Sequence, residues 1–500
     1  MLKPASYLQE IEVLVQKRRQ EILDAADELV ISGKTYYVSN DGDDANDGLS
    51  PESAWKSLQK VSSVSLQPGD GVRFRRGDLF RGAVQAQAGV SYGAYGTGTK
   101  PRLYGWDKDL ADSSLWTLYD EVHHIWKMNE KILDPGTLVF NEGEAHCRKL
   151  IPSYIGGVFV CRNDENRLFD MSQEMTRDLD LYWYFDAIMT TKPSKGQDFP
   201  IPDMGPDSYG DLYLRCDQGN PGDVFRSVEA LPRRPMFSVG NRENIHIDNL
   251  CLKYIGLHGV AAGGHVKGLH VSNCEIGWIG GTIQHYLGTD PNYPQGGRGT
   301  VTRFGNAIEI YGGCEDYTVE NCYIYQSYDA GITHQITTHG KKHTMTGVKY
   351  LNNLVEYCVY AIEYFLDMND GDTESYMRGI QMSGNILRLS GYGWGQQRHN
   401  TDTPALIKGW SYVNNASNYT VSNNIFDRSA YRMLHLVAQK QTSCPFMNGN
   451  TYIQSPGGML GQYGGNEDAE PEILYFDEQI QQTIQDVLGD QNACVCILED

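Results

Sequence analysis

The sequence predicts an all-β protein, built as a right-handed parallel β-helix with a β-rich insertion and terminal helices. Two observations support this prediction. A short unit recurs through the second half of the chain, with an asparagine, an apolar run, and a Gly or Ala followed by Ile, Val or Leu. The runs are rich in β-branched and aromatic residues, which favour strands over helices. Units that cannot bury an apolar face alone stack into a solenoid.

The spacing of the repeat gives the length of one coil. The repeat starts at the asparagines Asn249, Asn273, Asn321, Asn353, Asn385, Asn424 and Asn450. The first spacing is 24 residues, and the next, 48, is interpreted as two turns of 24. Asparagine suits the left-handed corners and the stacked amide ladders of a parallel β-helix. Equivalent positions on successive coils should lie about 4.8 Å apart.

Five segments follow along the chain. Residues 1–33 have a helical spacing of apolar side chains and predict an amphipathic helix. Residues 34–107 are predicted to form the first coils and the cap of the solenoid. Residues 236–460 are predicted to form the main β-helix with its functional face. Residues 108–235 lack the repeat and predict a β-rich insertion. Residues 461–500 predict a capping segment with a closing helix.

Composition limits the partners of the protein. The chain has 500 residues and a formal net charge of -21, which disfavours nucleic acids and anionic polysaccharides. No apolar run reaches the ~18 residues of a membrane span, and no secretory signal is visible, so we expect a cytoplasmic protein without a membrane partner. The 11 scattered cysteines predict reduced, structural thiols. No ligand cluster has metal spacing, so we expect no metal and no other cofactor.

A polar stripe is predicted on one face of the solenoid. When the coils are aligned on the Gly/Ala-Ile/Leu pair, the aliphatic residues of the pair are predicted to form a buried row. This row is made of Ile308, Ile332, Ile362, Ile407 and Leu434. Because side chains alternate across a strand, the next residue of each coil turns outward. These outward residues are Glu309, Thr333, Glu363, Lys408 and His435. Charged residues at one position of several coils are unexpected for packing alone, so the stripe indicates a functional surface.

Three carboxylates are the candidate catalytic residues. Asp329 lies one coil beyond Glu309, which predicts a separation of roughly 5 to 8 Å. Glu309 and Glu363 are two coils apart, which predicts about 9 to 10 Å. Glycoside hydrolysis needs two carboxyl groups about 5 to 5.5 Å apart for retention, or about 6.5 to 9.5 Å apart for inversion. Both outcomes stay open, and so does the choice of acid and of nucleophile or base.

Other polar and aromatic residues form the candidate substrate-binding set. Loops at residues 283–303 and 391–404 interrupt the repeat, and long loops in a compact body often carry function. Their aromatic side chains are expected to stack on sugar rings. The full set is Thr333, His334, Lys408, His435, Trp394, Tyr392, Tyr286, Arg303 and His399.

Each carboxylate also has a purely structural interpretation. Asp329 could cap a turn. Glu309 could pair with Arg303, and Glu363 could pair with Lys408. A coincidence of all three is less expected than any one of them.

The stretches around Glu309 and Asp329 resemble known families. Arg303-Phe-Gly-Asn-Ala-Ile-Glu-Ile-Tyr-Gly and Val319-Glu-Asn-Cys-Tyr-Ile-Tyr-Gln-Ser-Tyr-Asp-Ala-Gly-Ile-Thr-His look like β-helix glycoside hydrolases of families 141 and 120, and more loosely like polygalacturonases. In polygalacturonases an acid follows a Gly-Phe/Ile pair, and an Asp pair precedes the next strand. Here Ala330 follows Asp329, so that pair is incomplete. The resemblance implies a bacterial-type carbohydrate-active β-helix enzyme, and it indicates the fold better than the substrate.

The sequence therefore predicts a glycoside hydrolase of carbohydrate metabolism that cleaves a neutral or short oligosaccharide or glycoside. A polysaccharide lyase or uronate epimerase is the first alternative, with Lys408 or His435 as the base. A non-catalytic carbohydrate-binding solenoid is the second. The sugar, the linkage and the oligomeric state stay open, including a homo-oligomer formed through the terminal helices.

Overall fold

Long sheets of mainly parallel strands run along the molecule and confirm the predicted parallel β-helix. A coil such as residues 245–263 visits sheet 1, sheet 2 and sheet 3 in that order. A continuous apolar core lies between the three sheets. The computed structural model describes residues 2–27, 29–155, 158–161, 164–177, 181–187, 191–192, 201–202, 209–287, 300–398, 404–413 and 415–499.

The strands of each sheet follow in chain order. Sheet 1 contains Thr35–Val38, Gly71–Arg75, Ser91–Tyr95, Ile245–Asp248, Val266–Lys267, Leu269–Ser272, Cys314–Glu315, Thr318–Glu320, Thr344–Thr346, Lys349–Leu351, Tyr376–Ser383, Ala416–Ser422 and Phe446–Asn448. Sheet 2 contains Leu2–Lys3, Leu79–Arg81, Arg102–Tyr104, Cys251–Ile255, Glu275–Ile279, Tyr323–Ser327, Leu354–Glu356, Ile386–Ser390, Ile425–Ser429, Thr451–Gln454 and Cys494–Ile497. Sheet 3 contains Val84–Gln85, Phe237–Gly240, Val260–Gly263, Ile308–Tyr311, Ala330–Thr337, Tyr360–Asp367, Ala405–Val413, Arg432–Ala438, Met459–Gly465 and Leu474–Tyr475.

The spacing of 48 residues is a single coil, so its interpretation as two turns is wrong. Glu275 pairs directly with Tyr323 in sheet 2. The extra length of this coil includes an antiparallel hairpin, Thr282–Leu287 with Thr300–Phe304. The hairpin leaves the solenoid just before the strand that carries Glu309, so it lies beside the predicted stripe.

The recurring asparagines occupy two positions of the coil, one residue apart. Asn249, Asn273 and Asn321 adopt left-handed conformations at a corner, with φ of 59°, 52° and 51°. In later coils Asn352 and Asn423 take this corner, and the following asparagine is buried. The buried side chains form a ladder in which each Nδ2 donates to the next oxygen, through Asn353, Asn385, Asn424, Asn450 and finally Asp490. The predicted amide ladder is therefore confirmed for the later coils.

The predicted N-terminal helix forms at Tyr7–Leu23 and runs along the outside of sheet 2. Its N-terminal side starts at the last coil, where Leu2–Lys3 pairs with Cys494–Ile497. Its C-terminal side reaches the first coils, where Asp27 pairs with Arg76 at 2.6 Å. We call residues 2–27 the strap, because they connect the two ends of the solenoid.

The apolar face of the strap is used within its own chain. Ile11, Val15 and Ile22 are buried against outer-face residues of sheet 2. Association through the terminal helices stays a prediction. No helix among the described residues is long and apolar enough to cross a membrane.

The remaining α-helices among the described residues are short. They are Leu58–Ser63, Met171–Met175, Pro221–Val224 and Ile480–Thr483, which continues as a π-helical turn at Ile484–Leu488. The last of these buries Ile480, Ile484 and Leu488 and closes the core at its C-terminal end. All 11 cysteines belong to the described residues, and each has a free thiol.

The insertion forms small, mainly antiparallel sheets with a core of their own. The core contains Leu138, Phe140, Tyr184 and Leu214. Its strands are Trp116–Asp120, Ile125–Met128, Ile132–Leu133, Pro135–Phe140, Ala145–His146, Arg148–Lys149, Ser153–Ile155, Val158–Cys161, Asp164–Leu168, Trp183–Ala187, Thr191–Lys192, Ile201–Pro202, Tyr209–Arg215 and Val228–Pro232.

Candidate active site

The outer face of sheet 3 carries the predicted stripe in the predicted register. Ile308 pairs with Ile332, which puts Glu309 and Thr333 on neighbouring strands. Further pairs continue the row from Thr333 through Glu363 and Lys408 to His435. The apolar partners of these residues lie in the core, as expected from strand alternation.

The three predicted carboxylates line one cleft on this face. The cleft has a volume of about 520 Å³, and Glu309, Asp329 and Glu363 all contribute to its lining. They are 7%, 7% and 6% exposed, so they are largely withdrawn from solvent. Arg303 from the hairpin and Arg398 from the turn after residue 391 also line the cleft. The volume is typical of a small-molecule site.

Neutral donors hold Glu309 in place. Its Oε2 accepts from Asn306 Nδ2 at 2.5 Å and from Thr333 Oγ1 at 2.7 Å. Gln335 Nε2 lies 3.3 Å from both carboxylate oxygens. Asn306 is itself fixed, because its Oδ1 accepts from the Ala330 amide at 2.7 Å. These donors fix the direction of the carboxylate without neutralising its charge.

A cation holds Asp329. Asp329 lies in the turn before Ala330–Thr337, and its Oδ1 forms an ion pair with Arg398 Nη1. Arg398 ends the short helix Trp394–Gln397, which Trp394 anchors by donating to the Gln326 carbonyl at 2.8 Å. The pair favours the charged form of Asp329, because removing the proton creates the partner of the guanidinium.

His258 adds a neutral polar group to the cleft. Its Nδ1 accepts from the Asn306 amide at 3.1 Å, which places the ring proton on Nε2. Burial lowers the pKa of His258, and the nearby carboxylates of Glu309 and Asp329 oppose this effect. The ring is therefore an uncharged imidazole near neutral pH, next to two of the three acids.

The C-terminal part of the stripe is arranged differently. Lys408 is 3% exposed, and its Nζ donates to the Tyr360 hydroxyl at 2.9 Å and lies 4.1 Å from the centre of that ring. His435 continues the row, and burial lowers its pKa to about 3. Neither residue lines the cleft that the carboxylates share. Thr333 is fully buried and acts on the site through Glu309.

Two predicted groove residues are buried elsewhere, and their predicted roles are wrong. His334 follows Thr333 and therefore points into the core, where its ring stacks on Tyr364 and its Nδ1 meets the Tyr350 hydroxyl at 2.8 Å. Trp394 is 1% exposed and packs on Tyr328, so it offers no face to a sugar.

The other predicted binding residues fall into three cases. Tyr392 is exposed but does not line the cleft. Arg303 lines it, but its Nε and Nη2 donate to the carbonyls of Gly281 and Gly136 rather than to Glu309. The Tyr286 side chain and all of His399 lie outside the described residues.

The insertion contacts both walls of the cleft. Asp134 forms a buried ion pair with Lys149 and accepts from the Ile283 amide of the hairpin at 2.6 Å. On the other wall, Gln397 Nε2 donates to the Cys147 carbonyl at 2.8 Å, and its Oε1 accepts from the Lys149 amide at 3.3 Å. Gln397 directly precedes Arg398. The insertion therefore helps to fix the position of the cation that pairs with Asp329.

Several cleft residues were missed by the sequence argument, although the same alignment, extended by one coil to Val260, contains them. The alignment places His258 opposite Asn306, two positions before the aligned aliphatic residue of each coil. The alignment also places Tyr311, Gln335 and Phe365 at one equivalent position, two residues after the stripe and on the same outer face. Arg398 could not be found this way, because it comes from a loop without a repeat.

No family model matches the chain. A stretch of 76 residues is 43% identical to a lacto-N-biosidase of Bifidobacterium longum subsp. longum, so the match covers 13% of this chain and 5% of that protein. The chain is similar to the solved GH136 lacto-N-biosidase from Eubacterium ramulus, at 14% identity over 90% of this chain and 64% of the other, with a TM-score of 0.39. A solved structure named as a glycoside hydrolase gives 10% identity over 84% and 88% of the two chains, with a TM-score of 0.43.

Proposed function

We propose that the protein is a glycoside hydrolase that cleaves an O-glycosidic bond of a neutral oligosaccharide or glycoside. One observation carries this proposal: Glu309, Asp329 and Glu363, from neighbouring coils, line one cleft. Two carboxyl groups on either side of a glycosidic bond are the usual requirement for its hydrolysis.

The surroundings of the carboxylates suggest their roles. Asp329 faces a guanidinium, so it suits the charged role of nucleophile or water-activating base. Glu309 or Glu363 would then protonate the leaving oxygen. Two strand spacings separate Glu309 from Glu363, which corresponds to roughly 9.6 Å between their backbones. Side-chain directions can shorten this separation, so the stereochemical outcome is left to experiment.

The charge of the cleft favours an uncharged substrate. Three carboxylates face the arginines Arg303 and Arg398, and the whole chain carries a net charge of -21. A uronate would meet repulsion from this arrangement. The 76-residue likeness to a lacto-N-biosidase supports activity on a glycoside, although it covers a small part of that protein.

A substrate screen tests the proposal. Purified protein is incubated with a panel of p-nitrophenyl glycosides, and release of nitrophenol is measured. Proton NMR of the first sugar product then distinguishes retention from inversion. Hydrolysis by the wild type that is lost in Asp329→Asn supports the proposal. Absence of hydrolysis, together with unsaturated-uronate absorbance on acidic polysaccharides, would favour a lyase instead.

A further inference from the structure

A second row of side chains runs parallel to the carboxylate row on sheet 3. Tyr311 pairs in register with Gln335, and Gln335 pairs with Phe365. Each lies two residues after a member of the stripe, so all three point to the same outer face. All three line the cleft with the carboxylates. The second row contains no charged group, whereas the first row is acidic.

The exposed side of Tyr311 faces an open strip of small residues. Its neighbours on the preceding coil are Ala261, opposite Glu309, and Gly263, opposite Tyr311 itself. Gly263 is exposed, and a Cβ atom added there would meet no other atom within 4 Å. On the other side of Tyr311, Gln335 is only 7% exposed. Tyr311, which is 41% exposed, is therefore open toward Gly263 and closed toward Gln335.

Phe365 braces Tyr311 from the closed side. Their ring centres are 6.4 Å apart, and the rings meet edge to face at 73°. This contact limits rotation of the tyrosine ring, so its free face is kept in a defined orientation. An aromatic face, an open floor of small residues and a neighbouring carboxylate together form a shape that accepts a flat, polar-edged ring.

We infer that the strip formed by Ala261, Gly263 and Tyr311 binds a neutral pyranose ring of the substrate, one unit beyond the sugar that is cleaved. The C–H face of a pyranose packs on an aromatic ring, while its hydroxyls remain at the edge. This inference deepens the proposed hydrolase function and rests on it. It also gives the direction of the substrate, which extends from the carboxylates toward the N-terminal coils.

The test uses Gly263→Leu, which fills the strip, and Tyr311→Ala, which removes its wall. Gly263 has no left-handed backbone strain and no close neighbours, so the new side chain should not disturb the fold. Tyr431→Ala is the matched control, because Tyr431 is 42% exposed, close to the 41% of Tyr311, and does not line the cleft. The probes are unsubstituted linear oligosaccharides of the sugar that the p-nitrophenyl screen identifies, from two units to five.

We expect kcat/KM of the wild type to rise with substrate length. In Gly263→Leu and Tyr311→Ala, kcat/KM on the longer substrates should fall roughly ten-fold, mainly through a higher KM. Both variants should retain activity on the shortest substrate. Tyr431→Ala should keep the full gain. If both cleft variants keep it as well, the subsite is wrong while the hydrolase function stands.

A binding measurement separates the two proposals. Labelled wild-type protein and Gly263→Leu are applied to an array of neutral oligosaccharides. Binding that Gly263→Leu abolishes, without hydrolysis by the wild type, would support the subsite and overturn the enzyme. Absence of both binding and hydrolysis on every glycan would overturn both proposals.

Discussion

Sheets 2 and 3 both carry charged residues at one position of successive coils, but only one of these rows is open. In sheet 2, Glu356 pairs in register with Arg388, and Arg388 pairs with Asp427. In sheet 3, Thr333 precedes Glu363 and Lys408 in the same way. Both rows lie on the outer face of the solenoid.

The two rows differ in sign and in cover. In sheet 2 the signs alternate, and Arg388 Nε lies 3.0 Å from Asp427 Oδ2. The strap supplies the remaining partners, since Arg19 pairs with Glu356 at 2.7 Å and Glu12 pairs with Arg388. The cleft of sheet 3 instead gathers three acids, and the strap does not cover it.

A charged stripe on this solenoid does not by itself indicate function. A charged stripe was expected to indicate function, because packing alone does not require it. Sheet 2 shows that a charged stripe also forms where a helix covers the solenoid and pairs with it. What distinguishes the candidate site is the open cleft and the excess of one sign, rather than the presence of charge.

The largest expected effect comes from removing charge in the cleft. Asp329→Asn and Glu309→Gln should each lower kcat by about 10²- to 10⁴-fold, because each removes a proposed acid, base or nucleophile. Circular dichroism and melting temperature should change little. The measurement is turnover of the p-nitrophenyl substrate found in the screen. Glu356→Gln is the chemically matched control and should keep native kcat; near-native turnover of both cleft variants would remove the assignment.

The same change in sheet 2 should act on stability. Glu356 is 2% exposed and holds Arg19 and the Tyr323 hydroxyl. Glu356→Gln should lower the free energy of unfolding by on the order of 3 kcal/mol, because it removes the buried charge that accepts hydrogen bonds from Arg19 and Tyr323. Urea denaturation measures this loss. Glu21→Gln, in an exposed ion pair of the same helix, should cost much less, and equal losses would mean that the strap contacts contribute little.

A third prediction concerns the side chains that the two sheets bury on their inner faces. Sheet 3 buries His334, whose pKa burial lowers from 6.5 to about 3, whereas the inner row of sheet 2 is apolar. Between these values the unfolded chain binds a proton that the folded chain excludes. This contribution to stability is complete above pH 6.5 and is lost as the pH falls toward 3.

Urea denaturation at pH 7 and pH 5 checks this prediction. The wild type should lose stability on acidification, and His334→Gln should remove about 2 kcal/mol of that loss. A glutamine side chain can still accept a hydrogen bond from the Tyr350 hydroxyl, so the variant removes the titrating group and keeps this hydrogen bond. An unchanged pH dependence in the variant would show that His334 does not titrate in this range.

The smallest expected effect concerns the support that sheet 3 receives from the insertion. Gln397→Ala removes both hydrogen bonds to the insertion and should lower kcat/KM about ten-fold, or 1.4 kcal/mol, by displacing Arg398. The exposed neighbour Gln396 in the same turn provides the control, Gln396→Ala. If the two variants behave alike, the insertion does not position Arg398.

Much of the fold could be predicted because the repeat is a local pattern. The register of Glu309, Thr333, Glu363, Lys408 and His435 follows from strand alternation and from one aligned pair per coil, and the structure has that register. The coil that contains the hairpin was miscounted, because 48 residues is a multiple of the first spacing. A spacing cannot distinguish two coils from one coil with an insertion.

The loop residues of the site could not be predicted, because no periodicity places them. Trp394 and Arg398 are four residues apart in one turn, yet one is buried and the other pairs with Asp329. Composition made Trp394 the better candidate for contact with a sugar. Only the docking of this turn against Gln326 and the insertion decides which side chain faces the cleft.

The repeat alone predicts the solenoid, its asparagine corners and the line of residues that faces outward on sheet 3. These features depend on neighbours that a short period brings together. Packing between distant segments determines which outward face the strap covers and which remains open. It also decided which arginine meets Asp329, because contacts between residues hundreds of positions apart leave no local pattern in the chain.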